Sequence, residues 1–370
     1  MESTLPRRPR AIPDLRILRR GPHEVQVGLD PRLAAVLTAL TEPVVAALQR
    51  LAGNRDVDEL VAEHGPTMRN ALIALTTRGL VEDASRQPVP LPGRLAGDRA
   101  AAAMRAAADL DHGPDAPRTA PVRHDEPAVR RGYAVTVRGD GRLAVSVACL
   151  LAAAGVGWVH VEATGTVRPE DTGTGYRPED VGRRRGTAAR NAVARVDAGV
   201  RTTAFRADRR PDLVILTDTL VHEPAWVTAL NEANVPHLNA RMRDGIGIVG
   251  PFVVPGHTSC LLCADLHRCD LDEYWPRVAL QLAGQVQLAD LASTQATAAF
   301  AATQALDGLS WLSGSATAPR TCEATVELDL GAAAVRHRSW IPHPSCSCGS
   351  SRCCSDVAAN TNEELRQSRA

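Results

Sequence analysis

The run Tyr133-Ala-Val-Thr-Val137, Gly139-Asp-Gly141, Leu143-Ala-Val-Ser-Val-Ala-Cys-Leu-Leu-Ala-Ala-Ala154, Gly155 and Trp158-Val-His-Val-Glu162 decides the fold. The first and last pieces are short, β-branched runs that predict strands, and the glycine pair predicts a tight turn between the first strand and a helix. Nothing from Leu143 to Ala154 carries a charge. A helix apolar all round must be covered on most of its surface, which is the situation of a crossover helix joining parallel strands. An α/β, Rossmann-like sheet follows.

Working downstream, Asn191 to Val196 predicts a helix, Thr202 to Arg206 a strand, and Leu213 to Thr217 a strand that ends at Asp218. Ala225 to Glu232 is helical and Pro236 to Asn239 a short strand. Ile246 to Val249 starts a second set, with antiparallel pairing as one option. Pro276 to Leu306 supports one long helix or two broken ones, and Cys322 to Leu328 with Ala334 to His337 predicts a closing hairpin. This domain is expected over residues 130–350, with a flexible tail at 351–370.

Upstream, Leu15 to Leu18 and Val25 to Val27 flank the breaker Gly21-Pro22 and predict a hairpin. Three helical stripes follow: Val44, Val45, Leu48 and Leu51; Val57, Leu60 and Val61; Met68, Ala71, Leu72 and Leu75. Gly79 ends the third, and Leu80-Val81 returns as a strand. This order is a winged-helix pattern over residues 14–83, behind a disordered start at 1–13. Residues 84–129 are rich in proline and hold an alanine-rich run from Ala100 to Ala108, which predicts a linker with one helix. Between Glu42 and Asp83, four arginines face seven acids. That balance opposes phosphate neutralisation, so peptide binding or packing is favoured over nucleic acid.

With 370 residues, 44% apolar content, 3% aromatic content and zero formal charge, the chain predicts a protein of two or three domains with an Ala, Val and Leu interior. No apolar run reaches membrane-spanning length and the first twenty residues lack a secretory h-region, so cytoplasmic residence is expected. All 42 basic residues are arginine, because the chain contains no lysine.

Cys260-x-x-Cys263 and Cys346-x-Cys348 are two close thiol pairs far apart in sequence. Together they predict a tetrahedral structural Zn2+ site that closes a long loop. Cys353 and Cys354 leave open a replacement for Cys348. Gly139-x-Gly141 and Glu162 form an incomplete dinucleotide-style fingerprint: glycines let backbone approach phosphate at a helix N-terminus, and a strand-end acid can hold ribose. The third glycine position is occupied by Leu143 or Ala144, and a bare structural turn is the alternative.

Two resemblances follow from these motifs. Val25 through Asp83, with Leu48, Gly53, Val57, Leu60, Leu75 and Gly79-Leu-Val81, resembles the leader-recognition (RiPP recognition element) domains of ribosomal-peptide modification systems. There a leader peptide adds as a strand beside the hairpin and rests on the third helix. The ordered set Leu150 to Gly157, Val161, Pro211 to Asp218, Pro236-His-Leu, Gly247 to Phe252 and Cys260-x-x-Cys263 resembles adenylating enzymes of the ubiquitin-activating, ThiF-like type. Cys260 to Arg268 and His343 to Cys348 look most like actinobacterial members that join this domain to a leader-binding unit beside azoline-forming cyclodehydratases.

That resemblance implies ATP-dependent adenylation of a carboxylate, with Asp218 placing Mg2+, Glu162 on the ribose and the glycine turn beneath the nucleotide. The family's Asn-x-x-Arg-Gln segment is replaced by Thr172-Gly-Thr-Gly-Tyr176, and its phosphate lysine falls where only arginines stand, near Arg184 and Arg185. These departures lead to an expectation: a non-catalytic, homodimeric scaffold that binds a precursor leader peptide and presents it to a partner modifying enzyme. The other reading is an adenylyltransferase using Arg184 or Arg185.

Overall fold

A computed structural model describes residues 5–31, 33–86, 93–109, 126–206, 209–314 and 318–350. The chain divides into two compact units, Met1–Ala128 and Val129–Ala370.

In the first unit, β1 (Pro9–Ala11) pairs antiparallel with a strand at Val81–Asp83, while β2 (Ile17–Gly21), β3 (Glu24–Val27) and β4 (Ala35–Leu37) form a separate antiparallel sheet in that order. Helix α1 (Glu42–Gln49) starts with proline in its first turn, where the missing N–H costs nothing. Helix α2 (Val57–Thr77) breaks at Gly65, whose φ of 70° is left-handed, before Pro66. The second and third helical stripes are therefore one chain path with a kink, caused by a glycine conformation and a ring that removes a helix hydrogen bond. Strand β5 is Val81–Asp83. Helix α3 (Ala96–Asp109) adds Ala103 and Ala107 to the core of Ile12, Val25, Val27, Val44, Leu48, Met68, Leu72 and Leu75. The helix of the expected linker thus packs into the small unit's core.

After a short helical turn, α4 (Glu126–Val129), the second unit builds a seven-stranded sheet. Its elements are β6 (Ala134–Arg138), α5 (Arg142–Ala153), β7 (Trp158–Glu162), α6 (Arg185–Val196), β8 (Leu213–Thr217), α7 (Pro224–Glu232), β9 (His237–Arg243), β10 (Ile246–Val253), α8 (Leu261–Leu271), α9 (Trp275–Leu282), α10 (Leu291–Leu312), β11 (Ala324–Asp329) and β12 (Ala334–Ser339). Strand order is β12-β11-β10-β9-β8-β6-β7, parallel from β7 to β9 and antiparallel beyond. Strand direction in sequence reverses at β6, whose neighbours are β7 and β8, so the carboxyl end of β6 is the switch point where α/β sheets bind ligands.

Helix α5 is buried from Leu143 through Ala148, packed against α10 and the sheet, as its missing charges require. Thr202 to Arg206 does not form the expected strand. Only Arg201 bridges to the edge strand β7, and Phe205 then turns its ring onto Trp158 at 4.6 Å between centroids. Among the described residues, no helix is long and apolar enough to cross a membrane.

Candidate active site and metal centre

The glycine turn follows β6, and Asp218 follows the neighbouring parallel strand β8. The two meet because Val137 pairs with Ile215 and Arg138 with Leu216. Asp218 takes a left-handed φ of 67°, which folds its carboxylate back over the turn. Oδ2 accepts the Gly141 N–H at 2.9 Å and the Thr217 hydroxyl at 3.1 Å. A Cβ at Gly139 would collide with Thr217 Oγ1 and the Asp218 carboxylate, so glycine is required there by close approach. Burial drives the Asp218 pKa up to about 6, against the lowering effect of the Gly141 and Thr217 hydrogen bonds.

Glu162, at the end of β7, is exposed and paired with Arg138 at 3.1 Å. The Arg138 guanidinium in turn lies 3.4 Å over the Trp226 ring. Beside Glu162 opens a cleft of about 490 Å³ lined by Ala163, Thr164, Gly165, Thr166, Arg184, Thr187 and Arg190. The chain at Thr166 bridges antiparallel to Arg184, which sets that arginine at the cleft. Arg185 sits in the cleft wall: its Nη2 lies 2.8 Å from Asp171, and its Nη1 donates to the carbonyl of the cleft residue Thr164 at 3.3 Å. The two expected phosphate ligands thus stand differently: Arg184 lines the cleft, whereas Arg185 is held by Asp171 and by the cleft's own backbone. Arg190 is a cleft arginine that no motif singles out, since a lone arginine on a helix reads as a solvated face.

Thr172 to Tyr176 packs on α5, where Gly175 lies against Val145 and the Thr174 hydroxyl accepts from Ser146. Tyr176 is buried, and its hydroxyl has no hydrogen-bond partner among the described residues. Burial raises its pKa, with Arg185 acting against the rise and the nearby Asp218, Asp171 and Asp140 carboxylates adding to it. An orphaned phenol facing these carboxylates suits an additional oxygen-bearing group at this site, so the residues present fit a hydrated cation or phosphate.

Cys260 and Cys263 open α8, and the chain after β12 returns Cys346 and Cys348 to them. Sγ separations are 3.8 Å for Cys260–Cys263, 3.6 Å for Cys260–Cys346 and 3.6 Å for Cys263–Cys348. All four sulfurs lie within 4.8 Å of one another. A tetrahedron with Zn–S bonds of about 2.3 Å has edges of about 3.8 Å, so the quartet has the dimensions of a closed zinc site. The neighbouring thiols and burial push Cys260 upward, a cost that a bound cation would remove. Cys353 and Cys354, the open alternatives, lie outside the described residues. His267, Asp270 and His343 flank the quartet, with His343 Nε2 2.9 Å from Asp270.

Taken with the switch-point turn and the thiol quartet, this sheet order is the ubiquitin-activating (E1-like) type of α/β fold. A crystal structure of E. coli MccB matches with a TM-score of 0.64 at 14% identity, covering 93% of this chain and 97% of that one. MccB with ATP gives 0.67 at 13%, covering 92% and 99%, and PaaA gives 0.63 at 16%, covering 88% and 98%. At these identities the likeness is one of fold. No family model and no curated protein sequence matches the chain.

These matches correct the expectation of a non-catalytic scaffold. MccB, described as a microcin C7 biosynthetic enzyme, was solved with ATP and with AMPCPP plus MccA. The absent lysine misled because sequence order alone does not show which arginines reach the cleft; Arg184 and Arg190 do.

Proposed function

We propose that the chain is an ATP-dependent adenylyltransferase that activates a carboxylate of a peptide or small protein. The observation that carries this reading is the turn from Gly139 to Gly141, closed by Asp218 at the switch point of a fold that matches ATP-bound MccB over 92% of this chain. In the proposed reaction a substrate carboxylate oxygen attacks the α-phosphorus of ATP, an acyl-phosphate bond forms, and the bond to pyrophosphate breaks. Bound Mg2+ would offset charge on the phosphates. Asp218 holds that cation once its carboxyl ionises, Glu162 takes the ribose hydroxyls, and Arg184 with Arg190 offsets phosphate charge from the cleft.

The reading extends to the small unit. In its three-stranded sheet β4 is an edge strand, and Arg78, just past α2, donates to Ala34 beside it. Val36 on β4 and Ile73 on α2 are exposed apolar side chains. An open strand edge with exposed apolar side chains beside it is what a peptide adding as a strand requires, and we assign leader capture to this edge. Zinc is assigned to the four thiolates in a structural role, since complete thiolate ligation leaves no position for water. A homodimer in the cytoplasm completes the proposal; α9 has no buried residue and exposes Leu280, which favours a second copy as its cover.

Calorimetric titration with ATP–Mg2+ tests the core of this reading. Saturable binding that disappears in Asp218→Asn supports it, and no heat up to millimolar nucleotide refutes it.

A further inference from the structure

Strand β9 alternates faces. Leu238 and Ala240 enter the main core, so His237, Asn239 and Arg241 point to the opposite face. There Arg241 is only 8% exposed, and its Nε has no hydrogen-bond partner among the described residues. Asn239 is fully buried, and its Nδ2 is equally unpartnered. The histidine His222 explains the orientation of that amide: its Nε2 donates to Asn239 Oδ1 at 2.8 Å, leaving Nδ2 as a free donor. Burial lowers the His222 pKa to about 4, so the ring is neutral and keeps this role at physiological pH.

The acids that face Arg241 are already committed. Asp265 accepts from Arg268 at 2.6 Å and from Trp275 Nε1 at 3.3 Å. Glu327 lies 3.4 Å from Arg243 and 3.6 Å from Arg338. Four guanidinium groups thus share two carboxylates. Burial and the neighbouring Arg268 and Arg243 pull the Arg241 pKa down to about 9. A guanidinium withdrawn from water and left with only a share of two carboxylates, beside a buried amide donor without an acceptor, weakens a fold. Two free N–H donors, one of them cationic, pointing from adjacent same-face positions define an anion site of carboxylate type.

We infer that Arg241 and Asn239 bind a carboxylate of the substrate. The inference rests on the adenylyltransferase reading and adds the substrate class: an acidic peptide, whose carboxylate is held one strand from Asp218, because Ala240 between these two residues pairs with Thr217. The carboxylate has two sources, a side chain or a chain terminus. An activated carboxyl must be free to attack phosphorus, so the group gripped by the guanidinium serves as an anchor that positions its neighbour.

Thermal melting of the full chain without nucleotide, in N-acetylglutamate α-amide, N-acetylalanine, N-acetylalanine amide or inorganic phosphate at matched chloride, tests this directly. A carboxylate-bearing compound is expected to raise the melting temperature where the neutral amide does not, and the half-saturating concentration is expected to rise at least tenfold in Arg241→Gln. The first two compounds tell side-chain from terminal carboxylate. Asn239→Asp supplies an internal counter-charge, so it is expected to fold at least as stably as the natural chain and to lose the response. An equal response in both Arg241→Gln and the natural chain, a stabilisation shown only by inorganic phosphate, or an Asn239→Asp protein that still responds would overturn the proposal. Because no nucleotide is present, such a failure is separate from failure to bind ATP–Mg2+.

Discussion

The Asp218 carboxylate accepts the Gly141 amide at 2.9 Å across the gap between two parallel strands. A carboxyl with a folded pKa of about 6 and an ordinary value of 3.8 binds its proton more tightly in the folded state. Its effect on stability is therefore favourable at low pH, and it is lost as pH rises from about 4 to about 6. Asp218→Asn keeps an oxygen for Gly141 and removes this penalty, which is about 3 kcal/mol at most. We expect melting at pH 7 to be no lower than in the natural chain, with pyrophosphate exchange reduced at least about a hundredfold. A destabilised variant with intact exchange would reverse the assignment.

Arg184 and Arg185 are neighbours with opposite duties. Removing Arg184 from the cleft is expected to raise the KM for ATP about tenfold or more while leaving the melt unchanged. Arg185→Ala strands a buried Asp171 carboxylate, which is expected to cost about 3 kcal/mol or more of stability. Paired steady-state kinetics and denaturant unfolding of the two variants separate these effects.

Chelation tests the thiol quartet. Purified protein is expected to hold one Zn2+ per chain by metal analysis, and Cys263→Ser, whose sulfur is fully buried in the natural chain, is expected to lose it and melt at lower temperature. A variant that keeps both zinc and melting temperature would remove Cys263 from the ligand set.

Leader capture predicts that Val36→Asp and Ile73→Asp each weaken peptide binding about tenfold, measured by fluorescence anisotropy with a labelled precursor peptide, without loss of fold. Proline belongs on an edge strand for such a test. In Val25 to Val27 it would break β3, which is paired on both sides.

The parallel half of the sheet was legible because its strands are short apolar runs and its crossover helix carries no charge, so Ala134–Arg138 through Glu162 could be read residue by residue. Strand β9 was underestimated: the expected short strand ends at Asn239, whereas the antiparallel partner β10 extends the pairing to Arg243. Pairing of that kind is nonlocal and leaves little trace in a window of sequence. The thiol pairs were visible from spacing, yet only the folded chain brings their sulfurs within one tetrahedron. The cleft beside Glu162 was the least legible part, because the difference between Arg184 and Arg185 depends on a one-residue bridge to Thr166.

The thiol quartet joins the start of α8 to the loop after β12, with α9, α10 and the β11–β12 hairpin between them. A protease cut in the exposed segment around Leu288 would therefore leave two fragments that travel together on a sizing column. With a metal bound at the quartet, adding a chelator would remove one of the ties between them, so such an ion would act as a second, reversible spine for the molecule.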